Sequence, residues 1–212
     1  MPWRTITREV VTPMMWCRFH QEECPPGCFY LQLVDAFGEE DDEVKLTGEV
    51  ISLRSLVGER IADKNWSGSK LTIDCNLEEI DSSLSGVLED LKRDGRRWIV
   101  ILETTAVPIR YVQVLVTQDG GLWAECVSNN FLSLEDKLSD EQLELLPLLG
   151  WQWPSPPAGP NWQLHDELLN TGSAISGLLI RTLREVFGCA TNDRVRFKFF
   201  LGQNNETLNR EH

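Results

Sequence analysis

Histidine, tyrosine and basic charge are all scarce in this chain of 212 residues. It has three histidines, two tyrosines, and 20 Lys and Arg against 33 Asp and Glu, a net charge of −13. Nucleic-acid binders neutralise phosphates with clustered bases, so a chain this acidic argues against that partner. The charge is spread over both halves and neither forms a basic arm. No apolar run reaches the roughly 18 residues of a membrane span. The first residues, Met1-Pro-Trp-Arg-Thr-Ile-Thr-Arg-Glu, lack an apolar signal region, so a cytoplasmic location is expected. Chemistry-bearing motifs are missing too: there is no H-E-x-x-H, Walker loop, dinucleotide-binding glycine fingerprint or G-x-S-x-G elbow. His165, with Asp166 and Glu167 beside it, is the one place where a cryptic hydrolase could be sought. The expectation is a protein that is not an enzyme and needs no cofactor.

What the chain does have is apolar content of 42%, enough for a core. It also has six cysteines. Cys17, His20, Cys24 and Cys28 set four soft ligands within twelve residues, which could hold a tetrahedral zinc. Their spacing matches no known finger. Cys17 and His20, three apart on an expected strand, would point to opposite faces. The set stands as an alternative, a zinc-stabilised interaction module. The acidic block Glu39-Glu40-Asp41-Asp42-Glu43 lacks the spaced pattern of a calcium loop and reads as a solvated hairpin loop.

The second half is the more legible. Trp98–Thr104 is a short β-branched run, a buried strand. Tyr111–Thr117 alternates, with Val112, Val114 and Val116 on one face. Gln118-Asp-Gly-Gly signals a hairpin, and Leu122–Ser128 returns. A helix should start at the Ser139/Gln142 capping box, bend at Pro147 and close at Gly150. A loop with four prolines and three tryptophans spans Trp151–Trp162. Ala174–Phe187 is helical by spacing and stops at Gly188. Arg194–Phe199 alternates, with Val195, Phe197 and Phe199 inward and Arg194, Arg196 and Lys198 outward on an exposed or edge strand. Between the halves, Leu77, Ile80, Leu84, Val87, Leu88 and Leu91 form a helical stripe, capped by Asn76 and Glu79 and ended by Gly95.

Short matches in common order suggest an internal repeat. Tyr30-Leu-Gln-Leu parallels Tyr111-Val-Gln-Val, Glu49-Val-Ile-Ser parallels Glu125-Cys-Val-Ser, and Ser85-Gly-Val-Leu parallels Ser176-Gly-Leu-Leu. The expected organisation is a divergent N-terminal domain over 1–95, a second domain over 96–201 and a polar tail over 202–212.

Several fragments, taken together, carry a resemblance. They are Tyr111-Val-Gln, Gly121-Leu-Trp-Ala-Glu-Cys-Val-Ser-Asn-Asn-Phe-Leu, Leu138-Ser-Asp-Glu-Gln, Leu149-Gly-Trp, Pro160-Asn-Trp and Arg181-Thr-Leu-Arg-Glu-Val-Phe-Gly. In this order, over roughly 98–190, they resemble the TY-Chap domain of bacterial type III secretion chaperones and YbjN proteins. The resemblance implies an α+β fold, an antiparallel sheet packed against helices, and the repeat adds the expectation of a divergent tandem duplication. It also implies a non-enzymatic, chaperone-like or adaptor role on a protein client, often as a homodimer. A toxin-neutralising immunity-type protein is a special case of such binding. Trp151, Trp153 and Trp162 are the candidate client-binding residues, because tryptophan dominates binding hot spots. Trp151 and Trp162 fit a core role better than a client contact, which makes Trp153 the stronger contact candidate.

Overall fold

The computed structural model describes residues 42–44, 52–63, 66, 68–105, 109–154, 160–164 and 171–202. Seven strands make one sheet. They are β1 (Asp42–Val44), β2 (Leu71–Asn76), β3 (Trp98–Thr104), β4 (Tyr111–Val116), β5 (Leu122–Cys126), β6 (Trp162–Leu164) and β7 (Arg194–Leu201). Their order is β1-β2-β7-β3-β4-β5-β6. The β1–β2 pair is parallel and every other pair antiparallel. The helices are α1 (Leu53–Ala62), α2 (Leu77–Asp94), α3 (Asp140–Leu149) and α4 (Gly172–Arg181), the last continuing into a π turn over Thr182–Val186. The expected α+β architecture, an antiparallel sheet on helices, is present. None of the described helices is long and apolar enough to cross a membrane.

Local chemistry explains most of these elements. The six residues of the expected stripe are the six buried residues of α2. Gly86 and three serines weaken the intrinsic propensity of this helix, so burial holds it. Each such aliphatic side chain removed from water contributes about 1.5–3 kcal/mol. Asn76 Oδ1 accepts from Glu79 N–H at 2.8 Å, and Glu79 Oε2 accepts from Asn76 N–H at 2.9 Å, closing the capping box. The Ser139/Gln142 box of α3 forms likewise, and Gly150, at φ 106°, ends that helix in a conformation other residues resist. Thr117 and Gly121 close the β4–β5 hairpin through Thr117 N–H to Gly121 C=O at 2.9 Å.

The four described helices place their buried apolar residues in one cluster with Ile73, Val100, Val114, Phe197 and the other residues of one sheet face. The opposite face carries a smaller cluster of Ile99, Ile101, Leu115 and Phe200, flanked by Tyr111. The expected boundary at 95/96 falls at the turn between α2 and β3. β2 and α2, which precede it, share the sheet and core with the strands that follow. The repeat segments Ser85–Leu88 and Ser176–Leu179 lie in α2 and α4. These two helices approach closely enough that a Cβ on Gly172 would sit 2.7 Å from the Ser85 carbonyl oxygen. Tyr30–Leu33 and Glu49–Ile51 lie outside the described residues.

Two local expectations are corrected. Asp42 and Glu43, read as loop, belong to β1, where backbone pairing to β2 outweighs the poor strand preference of acids. The alternating strand β7 is not at an edge. It lies between β2 and β3; of its outward bases Arg196 and Lys198 pair with carboxylates, while Arg194 is exposed and donates to Asp74 C=O.

Candidate functional site

The three candidate tryptophans meet beside β6. Trp151 follows the Gly150 stop and donates its backbone N–H to Leu146 C=O at 3.0 Å. Its ring is buried, and Nε1–H donates to Thr182 Oγ1 at 2.9 Å. That threonine opens the π turn, where Phe187 N–H reaches back five residues to Thr182 C=O. Trp162, the first residue of β6, is buried in the main core. Trp153 is 63% exposed, yet its ring packs against Trp162 with centroids 4.3 Å apart. Gln152 and Gln163 exchange backbone hydrogen bonds of 2.8 and 3.2 Å, which lays the Trp151–Trp153 segment along β6. Of the three candidates, Trp151 and Trp162 are closed from solvent and only Trp153 presents a ring.

The surrounding polar residues hold this corner in place. Asn161 Oδ1 accepts from Ser128 N–H at 3.2 Å, and Ser128 Oγ donates to Pro160 C=O at 2.7 Å. Asn129 exchanges hydrogen bonds with the Leu138 backbone at 2.7 and 3.0 Å, pinning the loop that leads into α3. The asparagines of the Ser-Asn-Asn and Pro-Asn-Trp fragments thus serve the scaffold.

The sheet face turned away from the helices is organised in three rows, since side chains of paired residues share a face. One row is apolar: Phe200, Ile99, Leu115, Trp123. The next is mixed: Thr72, Lys198, Ile101, Gln113, Glu125, Gln163. The third is Asp74, Arg196, Glu103, Tyr111. Glu103 bridges two bases, Lys198 Nζ at 3.0 Å and Arg196 Nη1 at 3.1 Å, and Arg196 also reaches Asp74 at 3.3 Å. Glu125 accepts from three amides: Gln113 at 2.8 Å, Asn161 at 3.1 Å and Gln163 at 3.3 Å. Burial pushes its carboxyl above the ordinary glutamate range, and the three hydrogen bonds pull it partly back. Two buried polar atoms of the mixed row, Thr72 Oγ1 and Gln113 Oε1, have no hydrogen-bond partner among the described residues. No sequence signal marked this face. A lone glutamate inside the apolar run Trp98–Thr104 was the available hint.

Cys17, His20, Cys24, Cys28 and His165 lie outside the described residues. Among the described residues no group of three His, Cys, Asp or Glu could hold a metal ion. Cys75 and Cys126 are buried free thiols. Burial pushes the Cys75 thiol up to about 12 and Cys126 upward as well, which keeps both protonated and poorly nucleophilic at neutral pH.

A family model described as T3SS (YopN, CesT) and YbjN peptide-binding chaperone 3 matches residues 78–199. The match runs from α2 through β7 and takes in the tryptophan corner. No curated protein and no solved structure matches the chain.

Proposed function

Because the chain belongs to the TY-Chap3 family of peptide-binding chaperones, we propose that it is a non-enzymatic, cytoplasmic chaperone-like protein that holds a segment of another polypeptide. The observation that carries the choice of site is Trp153: a large ring, mostly in water, seated on a buried one. An exposed indole on a rigid base offers a flat apolar step at little entropic cost, which is the usual make-up of a binding hot spot. Trp162 supports that step from below. The client contributes an apolar or proline side chain to it.

The test has two stages. Tagged protein from its native host is isolated and recurrent co-purifying polypeptides are identified by mass spectrometry. Binding of the recovered client is then measured by calorimetry for the native chain and Trp153→Ala. The substitution should weaken binding by about tenfold or more, as loss of a hot-spot tryptophan does, and leave the thermal midpoint nearly unchanged. Unaltered affinity with an intact fold would move the client contact elsewhere.

A further inference from the structure

Arg110 is the one buried arginine among the described residues, 9% exposed at the entry to β4. Its backbone fixes its place: Arg110 N–H donates to Thr104 Oγ1 at 2.9 Å, and its C=O accepts from Thr104 N–H at 2.9 Å. The guanidinium lies over the Phe187 ring, 5.9 Å from the centroid. Its donors are poorly served there. Nη2 makes two long contacts, 3.4 Å each, to the carbonyls of Asp136 and Lys137, and Nε has no hydrogen-bond partner among the described residues. A guanidinium carries five donors in a planar fork, and a buried charge is costly unless an anion answers it. No neighbouring group does so. Asp136, the nearby acid, accepts from Ser133 Oγ at 2.7 Å and forms no ion pair with Arg110. Cys126 and Cys189 lie beside the guanidinium, and burial pushes both thiols upward, which keeps them neutral. By contrast, the more exposed Arg96, Arg184 and Arg196 meet carboxylates at 2.6, 2.9 and 3.1 Å.

We propose that Arg110 is a recognition residue for the client: its unanswered fork of N–H donors receives one carboxylate of the bound polypeptide. This rests on the chaperone reading above and adds to it a chemical requirement on the client. The surroundings fit an acid flanked by aliphatic side chains. Ile109, the preceding residue, is 53% exposed, and Leu134, on the loop whose carbonyls hold Nη2, is 82% exposed. The site is also continuous with the tryptophan corner. Cys126, beside Arg110, pairs with Trp162 across β5 and β6, and Trp153 rests on that ring. One extended segment thus sets an apolar side chain on Trp153 and its acid on Arg110. A net charge of −13 repels acids in general, so a single buried base makes the requirement specific to one position of the client.

The test has one arm that needs no client. The full chain is labelled with nitrogen-15 arginine, and the Nε–H signal of Arg110 is assigned through its own backbone. Three probes are titrated at millimolar concentration: acetyl-Leu-Glu-Leu-amide, acetyl-Leu-Gln-Leu-amide, and acetyl-Leu-Leu with a free terminal carboxylate. The signal should move saturably with a carboxylate probe and stay still with the glutamine probe. The carboxylate probe that moves it more tells a side-chain acid from a chain terminus. A signal that no probe moves, or that the glutamine probe or inorganic phosphate moves equally, overturns the proposal. In the second arm, the client recovered from the host is measured by calorimetry. Arg110→Met should weaken its binding about thirtyfold or more, and replacing the client's acid by its amide should cost nothing further in that variant. Full affinity in a folded Arg110→Met overturns the proposal and leaves the chaperone reading intact. If no client is recovered, or the variant does not fold, the probe arm decides Arg110 alone.

Discussion

Glu125 shows how one side chain can couple this fold to pH. Its carboxyl is held above the ordinary glutamate range in the folded chain because burial penalises the charge more than three amide donors compensate it. The folded state therefore binds the proton more readily than the unfolded state. The resulting stabilisation is complete below the ordinary glutamate range and is lost as pH rises through the raised value. Replacing the carboxylate by a neutral amide removes this dependence. Between about pH 4 and pH 7, the native chain should lose stability relative to Glu125→Gln as pH rises, read from urea melts at each pH. A gap that moves the other way would mean that the three amides outweigh burial. Trp153 belongs to the same scale, since its ring contributes little to the fold and its loss should be read only in binding.

At the scale of elements, the junction of α2 with α4 is the most sensitive place. Gly172 begins α4, its N–H donates to Glu89 Oε1 at 2.6 Å, and the Ser85 carbonyl fills the space where a Cβ would stand. Gly172→Ala should therefore destabilise the chain by about 1–3 kcal/mol, the usual cost of overpacking a tight contact. Ser139→Ala, which removes the cap of α3, should cost about 1 kcal/mol. Both are measured by chemical denaturation, and a neutral Gly172→Ala would show that the two helices can slide apart freely. Elements with local signatures were the ones legible in the sequence. The β4–β5 hairpin declared itself through Gln118-Asp-Gly-Gly, α2 through its stripe, and α3 through its box and Gly150. α1, β2 and β6 carried no comparable mark. β6 is three residues long and exists because Cys126 and Gln152 flank it, partners that lie far from it in sequence. The π turn at Thr182 was hidden too, because a single widened turn leaves the apolar spacing of the helix intact.

Across the whole molecule, the informative failure of local reading is β7. Alternation correctly separated Val195, Phe197 and Phe199 from the bases. It could not say that both faces would be covered, because that depends on β2, β3 and the second face together. Three expected surface charges thus include Lys198, one of the most enclosed ion pairs among the described residues, with Glu103 as its partner. Breaking such a pair from one side leaves a buried charge behind. Glu103→Gln should cost about 3–5 kcal/mol, and adding Lys198→Met should recover most of it, because an apolar replacement of both partners is nearly neutral. If the double variant is no more stable than the single one, Lys198 draws its support from elsewhere. The tryptophan corner was partly legible, since the Leu-Gly-Trp and Pro-Asn-Trp fragments marked Trp151 and Trp162. Their core role was readable as well, but the hydrogen bond that ties Trp151 to Thr182 was not.

The position of β7 also sets a schedule for synthesis. Cys75 in β2 meets Val195 in β7 across a separation of 120 residues. At roughly 5–20 residues per second, a ribosome needs about 6 to 24 s to cover that distance. Throughout that interval β2 lacks its antiparallel neighbour β7, and its apolar side chains stay open to association.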